Sequence, residues 1–139
     1  MSAGPDGAME PTADQLAALA ASPEHGPVVM LNLVRFREQS ADGDGTGSDA
    51  YLRYSAGFMP LLKRAHGTIL WAGQVTGVAL GDEEQNAWDY AVLVQYPNRQ
   101  AFVDTMTSPE YAAINATRLG GLADHVIVPV TETYTKFAK

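Results

Sequence analysis

Asn32 lies in the middle of PVVMLNLVRF, residues 27–36, a stretch otherwise almost wholly apolar and rich in β-branched residues. A buried amide without a partner costs roughly 2–7 kcal/mol, depending on the reference state. Either a neighbour satisfies it, or its face of the strand lines a cavity. In a cavity the amide N–H can polarise a carbonyl as an oxyanion donor does. Along WDYAVLVQYP, residues 88–97, Asp89 and Gln95 share a face that is apolar in its middle. Asn32 joins them if its own face of 27–36 borders the same space. An apolar pocket with a few convergent polar groups is the default site.

Other residues suit the same chemistry. Arg118 follows Tyr111 by seven residues and Ile114 by four, so in a helix it shares their apolar face. A guanidinium there is paired, with Asp124, Asp89 or Glu110 as partner, or it reaches a cavity mouth. At such a mouth Arg118, or Arg35 at the end of the first strand, stabilises enolate charge. His125 stands beside Asp124, and a neighbouring carboxylate can orient an imidazole and raise its pKa, so Asp89 or His125 would carry the proton. Arg35 and Tyr54 are expected at the rim. Trp71, a strand aromatic, belongs either to the core or to the site. His25, His66 and His125 are not at i+3 or i+4 to one another, and there is no cysteine. Spacing therefore signals no metal site. GxGxxG, GxxxxGK[ST] and GxSxG motifs are absent, and no cofactor is expected.

These residues need elements to hold them. Thr12 with Gln15 predicts a capping box and a short helix after an unstructured segment, residues 1–10. Both alternating sets of residues 28–36 are mostly apolar, which is how a strand covered on both faces reads. The loop EQSADGDGTGSD, 38–49, faintly resembles a calcium loop, but Arg53 stands where the bidentate Glu belongs. Ser48 or Asp49 is the expected cap of the next helix. There Tyr51, Ser55, Phe58, Leu62 and Ala65 form one face, Pro60 bends it, and Gly67 stops it. A long strand over 68–81 and another over 88–97 follow, joined by DEEQNA. A helix broken at Ser108-Pro109 ends at Gly120-Gly121. VIVPVTETY is the last strand, an edge because Pro129 cannot donate to a ladder. After the N-terminal helix the order is βαββαβ, the α+β ferredoxin-like unit, with 11–139 as a single domain. Its helices cover one face of the antiparallel sheet. A homodimer pairing sheet on sheet covers the other.

Charge excludes some partners. Nine basic against sixteen acidic residues give a net charge of −7. Nucleic acid and anionic membranes both demand a basic surface, so neither is expected. The start of the chain has no basic n-region or apolar h-region, and no apolar run reaches the ~20 residues of a membrane span. A cytoplasmic protein is expected.

VVMLNLVRF, YLRYSAGFMPLL, LWAGQV, WDYAVLVQYPNRQAF and SPEYAAINATRLGGLAD together resemble the family known as domain of unknown function 1330, over about residues 27–131. The resemblance implies the dimeric α+β barrel superfamily, a homodimer whose two sheets enclose an interior. It carries no agreed activity. That superfamily includes cofactor-free aromatic monooxygenases, polyketide cyclases, haem-degrading enzymes and chlorite dismutases. In its cofactor-free oxygenases Asn and Trp on facing strands recur at active sites, which singles out Asn32 and Trp71. The expectation is a small enzyme without metal or nucleotide. It would perform acid–base chemistry (cyclisation, dehydration or isomerisation) on an apolar or aromatic carbonyl-bearing molecule of polyketide type. The alternatives are a cofactor-free monooxygenase and a non-catalytic small-ligand-binding dimer.

Overall fold

The structure, a computed structural model, describes residues 9–137. Its elements are α1 (Ala13–Ala21), β1 (Val28–Phe36), α2 (Gly47–Arg64), β2 (Thr68–Gln74), β3 (Tyr90–Tyr96), α3 (Arg99–Met106), α4 (Pro109–Gly121) and β4 (Leu122–Val130). The strands form one antiparallel sheet in the order β2-β3-β1-β4. This is the ferredoxin-like α+β arrangement, with α1 added in front and the second helical unit split into α3 and α4.

Local chemistry sets most boundaries. The Thr12–Gln15 capping box starts α1. Ser108 caps α4, and Pro109 occupies its first turn, where a missing N–H is harmless. The cap of α2 is Thr46, not Ser48 or Asp49; Asp49 completes a capping box with it. Asp42 accepts from Ser40 and Arg53, so the loop's polar residues serve turn and cap rather than a calcium site. At the other end of α2, His66 takes the left-handed conformation, φ 60°. His66 N–H donates to Lys63 and Gly67 N–H to Leu62, the two bonds of a Schellman motif. Gly67, expected to be the stop residue, is required for another reason. A Cβ there would lie 2.3 Å from Leu62 Cδ1 and 3.1 Å from the Gln95 carbonyl.

Three expectations need correction. β2 stops at Gln74 rather than continuing to 81, because Gly77 (φ 152°) and Gly81 (φ 121°) turn the chain. β4 begins at Leu122, four residues earlier than expected, directly after α4. That places His125 inside the strand, paired with Val34, rather than at an element end. β4 is a sheet edge, as Pro129 requires. Of the segment expected to be unstructured, residues 1–8 lie outside the described residues, but Met9 is buried against Val34 and Leu122.

The core lies between the sheet and the helices. Val28, Met30, Val92, Val94 and Tyr96 pack with Leu62 of α2 and Phe102 of α3, and Leu16 and Leu19 of α1 close one end. The opposite sheet face is apolar and partly exposed: Trp71 46%, Val126 37%, Val128 41% and Val130 40%.

Candidate functional site

Side chains alternate along a strand, so β1 divides in two. Val28, Met30 and Val34 enter the helix-covered core, and Asn32 lies on their side, between Val92 of β3 and Ile127 of β4. Asp89 and Gln95 have the parity of Ala91 and Leu93, on the opposite face. The shared face expected for Asn32, Asp89 and Gln95 therefore does not exist. Both faces of β1 are apolar, so alternation in the sequence could not tell which one the helices take.

The remaining candidates separate accordingly. Asp89 continues the ladder at the strand end: its N–H donates to Val34 O and its Oδ2 accepts from Phe36 N–H, each at 2.8 Å. Arg35 lies over the Trp88 ring at 5.2 Å, donates to Ala87 O and sits 4.0 Å from Asp124. Trp71 pairs with Leu93 on the open face, its indole close over Gly73. Arg35, Trp71, Asp89 and Gln95 thus lie away from the space that Asn32 borders.

Asn32, Tyr54 and His125 are brought together. They line a cavity of about 260 Å³ between the sheet and the helices. The cavity exists because α2 packs on α4 rather than flat on the sheet. Gly121 and Gly47 permit that close approach: a Cβ on Gly121 would lie 2.7 Å from Gly47 O and 2.9 Å from Ala50 Cβ. Ser48, Tyr51, Leu52, Ser55, Phe58 and Met59 of α2 recur at helical spacing along the wall. Leu52, Met59 and Ile69 are exposed and mark the mouth.

At the inner end a chain of hydrogen bonds leads from a buried cation to Asn32. Arg118, 2% exposed, donates through Nη1 to His125 Nδ1 at 2.7 Å. Its Nη2 donates to Met9 O at 2.6 Å and its Nε to Asn115 Oδ1 at 2.8 Å. A guanidinium has donors only, so Nδ1 must be the acceptor and His125 carries its proton on Nε2. That proton is donated to Asn32 Oδ1 at 2.9 Å. The Asn32 amide is thereby oriented with Nδ2 as donor, one N–H going to Met30 O at 3.1 Å. Its other N–H has no bond among the described residues.

The electrostatics follow from burial. Desolvation, aided by the Arg118 charge, pushes the His125 pKa down to about 3. His125 is therefore neutral at physiological pH, opposite to the rise expected from Asp124. Asp124 Oδ1 accepts the backbone N–H of His125 instead. Arg118 has no carboxylate within 4 Å among the described residues. Asp124 pairs with Arg35 and Glu110 with Arg64. Burial, and then Tyr90, pushes the Tyr51 phenol up to about 12. Burial and Tyr111 hold Tyr54 well above its usual value, and Tyr54 donates to Tyr111 Oη at 3.2 Å. The walls thus offer hydroxyl and amide donors in an apolar setting. Tyr111 and Phe58 also line the cavity, and their helical spacing showed them as buried without showing that they face a void.

A search of curated proteins finds no match. Among solved structures, the RPA0582 protein of unknown function from Rhodopseudomonas palustris is 29% identical, with 91% of this chain and 98% of that one covered and a TM-score of 0.83. Its methylated form gives 30%, 92%, 96% and 0.82. At the level of fold alone, a hydroxynitrile lyase from Passiflora edulis is 15% identical (81% and 100% covered, TM-score 0.57). A dimeric ferredoxin-like protein of unknown function from Thermobifida fusca is 17% identical (81% and 96% covered, TM-score 0.51). The domain of unknown function DUF1330 matches residues 41–131, and with that match the chain belongs to the DUF1330 family.

Proposed function

We propose that this protein is a cofactor-independent enzyme that stabilises the enolate or phenolate of an apolar or aromatic carbonyl-bearing small molecule. Isomerisation, dehydration or cyclisation would follow from that anion. The observation that carries the reading is the Arg118–His125–Asn32 chain ending at a tyrosine-lined apolar cavity. Each bond in the chain polarises the next. The Arg118 charge draws on the imidazole, whose Nε2–H draws on the Asn32 carbonyl, strengthening the remaining amide N–H as a donor. A substrate oxygen on that N–H gains most when it becomes an oxyanion, the condition for transition-state stabilisation.

The roles are narrower than residue types alone suggest. Asn32 is the oxyanion donor, and Arg118 and His125 are positioning residues acting through it. With a pKa of about 3 and both ring nitrogens engaged, His125 is not the base at neutral pH. Substrates acidic enough to lose a proton to water, such as phenols and β-dicarbonyls, fit best. The apolar sheet face is assigned to a second copy of the chain, a pairing consistent with the dimeric fold relative.

The second reading is a ligand-binding protein without turnover, favoured by the lack of a carboxylate among the described residues of the cavity wall. Exchange separates the two. An aromatic β-diketone incubated with the protein in D2O should lose its α-proton signal faster than in buffer. Asn32→Ala should reduce that acceleration by roughly 10²–10³-fold, the range for an oxyanion-hole donor. Binding without acceleration supports the ligand-binding reading. Acceleration that survives Asn32→Ala overturns the proposed role of Asn32.

A further inference from the structure

Arg118 is gripped by residues that come before α1. The Met9 side chain, 5% exposed, packs against Val34 and Leu122, and that anchorage brings its carbonyl to Arg118 Nη2 at 2.6 Å. The next residue, Glu10, accepts through Oε1 from Asn115 Nδ2 at 2.5 Å. Asn115 in turn accepts from Arg118 Nε through Oδ1 at 2.8 Å.

These bonds leave the Asn115 amide a single orientation. An ionised carboxylate only accepts and a guanidinium only donates. Turning the amide over would set oxygen against oxygen and N–H against N–H. Asn115 stands three residues before Arg118 on α4, so the helix keeps the two side chains neighbours. Arg118 thus donates into two arms. One runs through His125 to Asn32 and the cavity, the other through Asn115 to Glu10. Among the described residues every direct hydrogen-bond acceptor of Arg118 is neutral. No carboxylate locks the plane of its guanidinium, so its aim at His125 depends on Met9 and on an Asn115 held by Glu10.

We propose that Met9–Glu10 is a strap that aims Arg118 at His125, with Glu10 and Asn115 as positioning residues for the oxyanion donor Asn32. The inference rests on the reading of Asn32 given above. Neither Glu10 nor Asn115 lines the Asn32 cavity, so both act only through the chain of bonds.

Two readouts on the full chain test it: NMR exchange of the His125 Nε2–H with water, and deuterium exchange of the aromatic β-diketone. Glu10 is exposed, so its variants should fold. Glu10→Ala should speed Nε2–H exchange at least about tenfold and cut the acceleration by a similar factor, as loss of a hydrogen bond to a charged group implies. Asn115→Ala should do the same. Glu10→Gln keeps an acceptor for Asn115 and should restore both readouts. Glu83→Ala, the same charge change on an exposed turn, should alter neither. Unchanged Nε2–H exchange in Glu10→Ala, or a Glu10→Gln protein as impaired as Glu10→Ala, overturns the strap. So does an Nε2–H rate that rises only in step with the core backbone amides, which marks a loss of overall stability. A natural protein that gives no acceleration overturns the proposed function instead, and the Nε2–H response then decides the strap by itself.

Discussion

His125 shows how far tertiary context can move one side chain. Its folded pKa, about 3, lies below the 6.5 of an ordinary imidazole. The unfolded chain therefore takes up a proton that the folded chain refuses between those values. Stability from this group is fully present above pH 6.5 and is lost as pH falls towards 3, by up to about 1.4 kcal/mol per unit. His125→Gln keeps a donor and an acceptor but does not titrate. Urea unfolding at pH 7.5 and 5.0 should show the natural protein losing about 2 kcal/mol more than the variant. Equal losses would show that His125 is not buried neutral. Arg118→Met removes the smaller cause of the depression. By NMR titration the His125 pKa should rise yet stay below 6.5, since burial, the larger cause, remains.

At the scale of elements, the end of α2 separates two requirements that one glycine usually meets. His66 occupies the left-handed position, which disfavours a Cβ, while Gly67 occupies the position where a Cβ collides with Leu62. His66→Gly should raise stability by about 0.5–1 kcal/mol. Gly67→Ala should lower it, with both read from urea midpoints at unchanged slope. A loss of stability in His66→Gly would overturn the φ argument at position 66, and a gain in Gly67→Ala would overturn the contact argument at position 67. The cap of α1 was legible because a polar residue stands three before its partner, Thr12–Gln15. At α2 the same rule applies one register away, Thr46 with Asp49, where Ser48 and Asp49 were the obvious candidates. β4 was read four residues too late, over 126–134 rather than 122–130, because LADH carries too little apolar alternation to mark a strand. It becomes one only by pairing with β1, and that extension is what carries His125 to Asn32.

For the whole molecule, the sheet has one face under helices and one apolar face of Trp71, Val126, Val128 and Val130. A second copy packed there would remove that surface from water. Light scattering behind size exclusion should give a dimer for the natural protein. Val128→Asp should give a monomer, because a carboxylate centred in an apolar interface is left unpaired. A natural protein that runs as a monomer, or a variant that stays dimeric, refutes the pairing.

The sequence by itself determined the element order and with it the fold, because caps, breakers and periodicity are local properties of the chain. It also marked Asn32, Tyr54, Arg118 and His125 as residues worth attention. Which face of β1 the helices cover, and hence that Asn32 meets His125 rather than Asp89 and Gln95, was decided only by tertiary structure. So was the stand-off of α2 from the sheet that opens the cavity. These depend on which apolar surface wins the packing against the helices, and residues far apart in the chain settle that together.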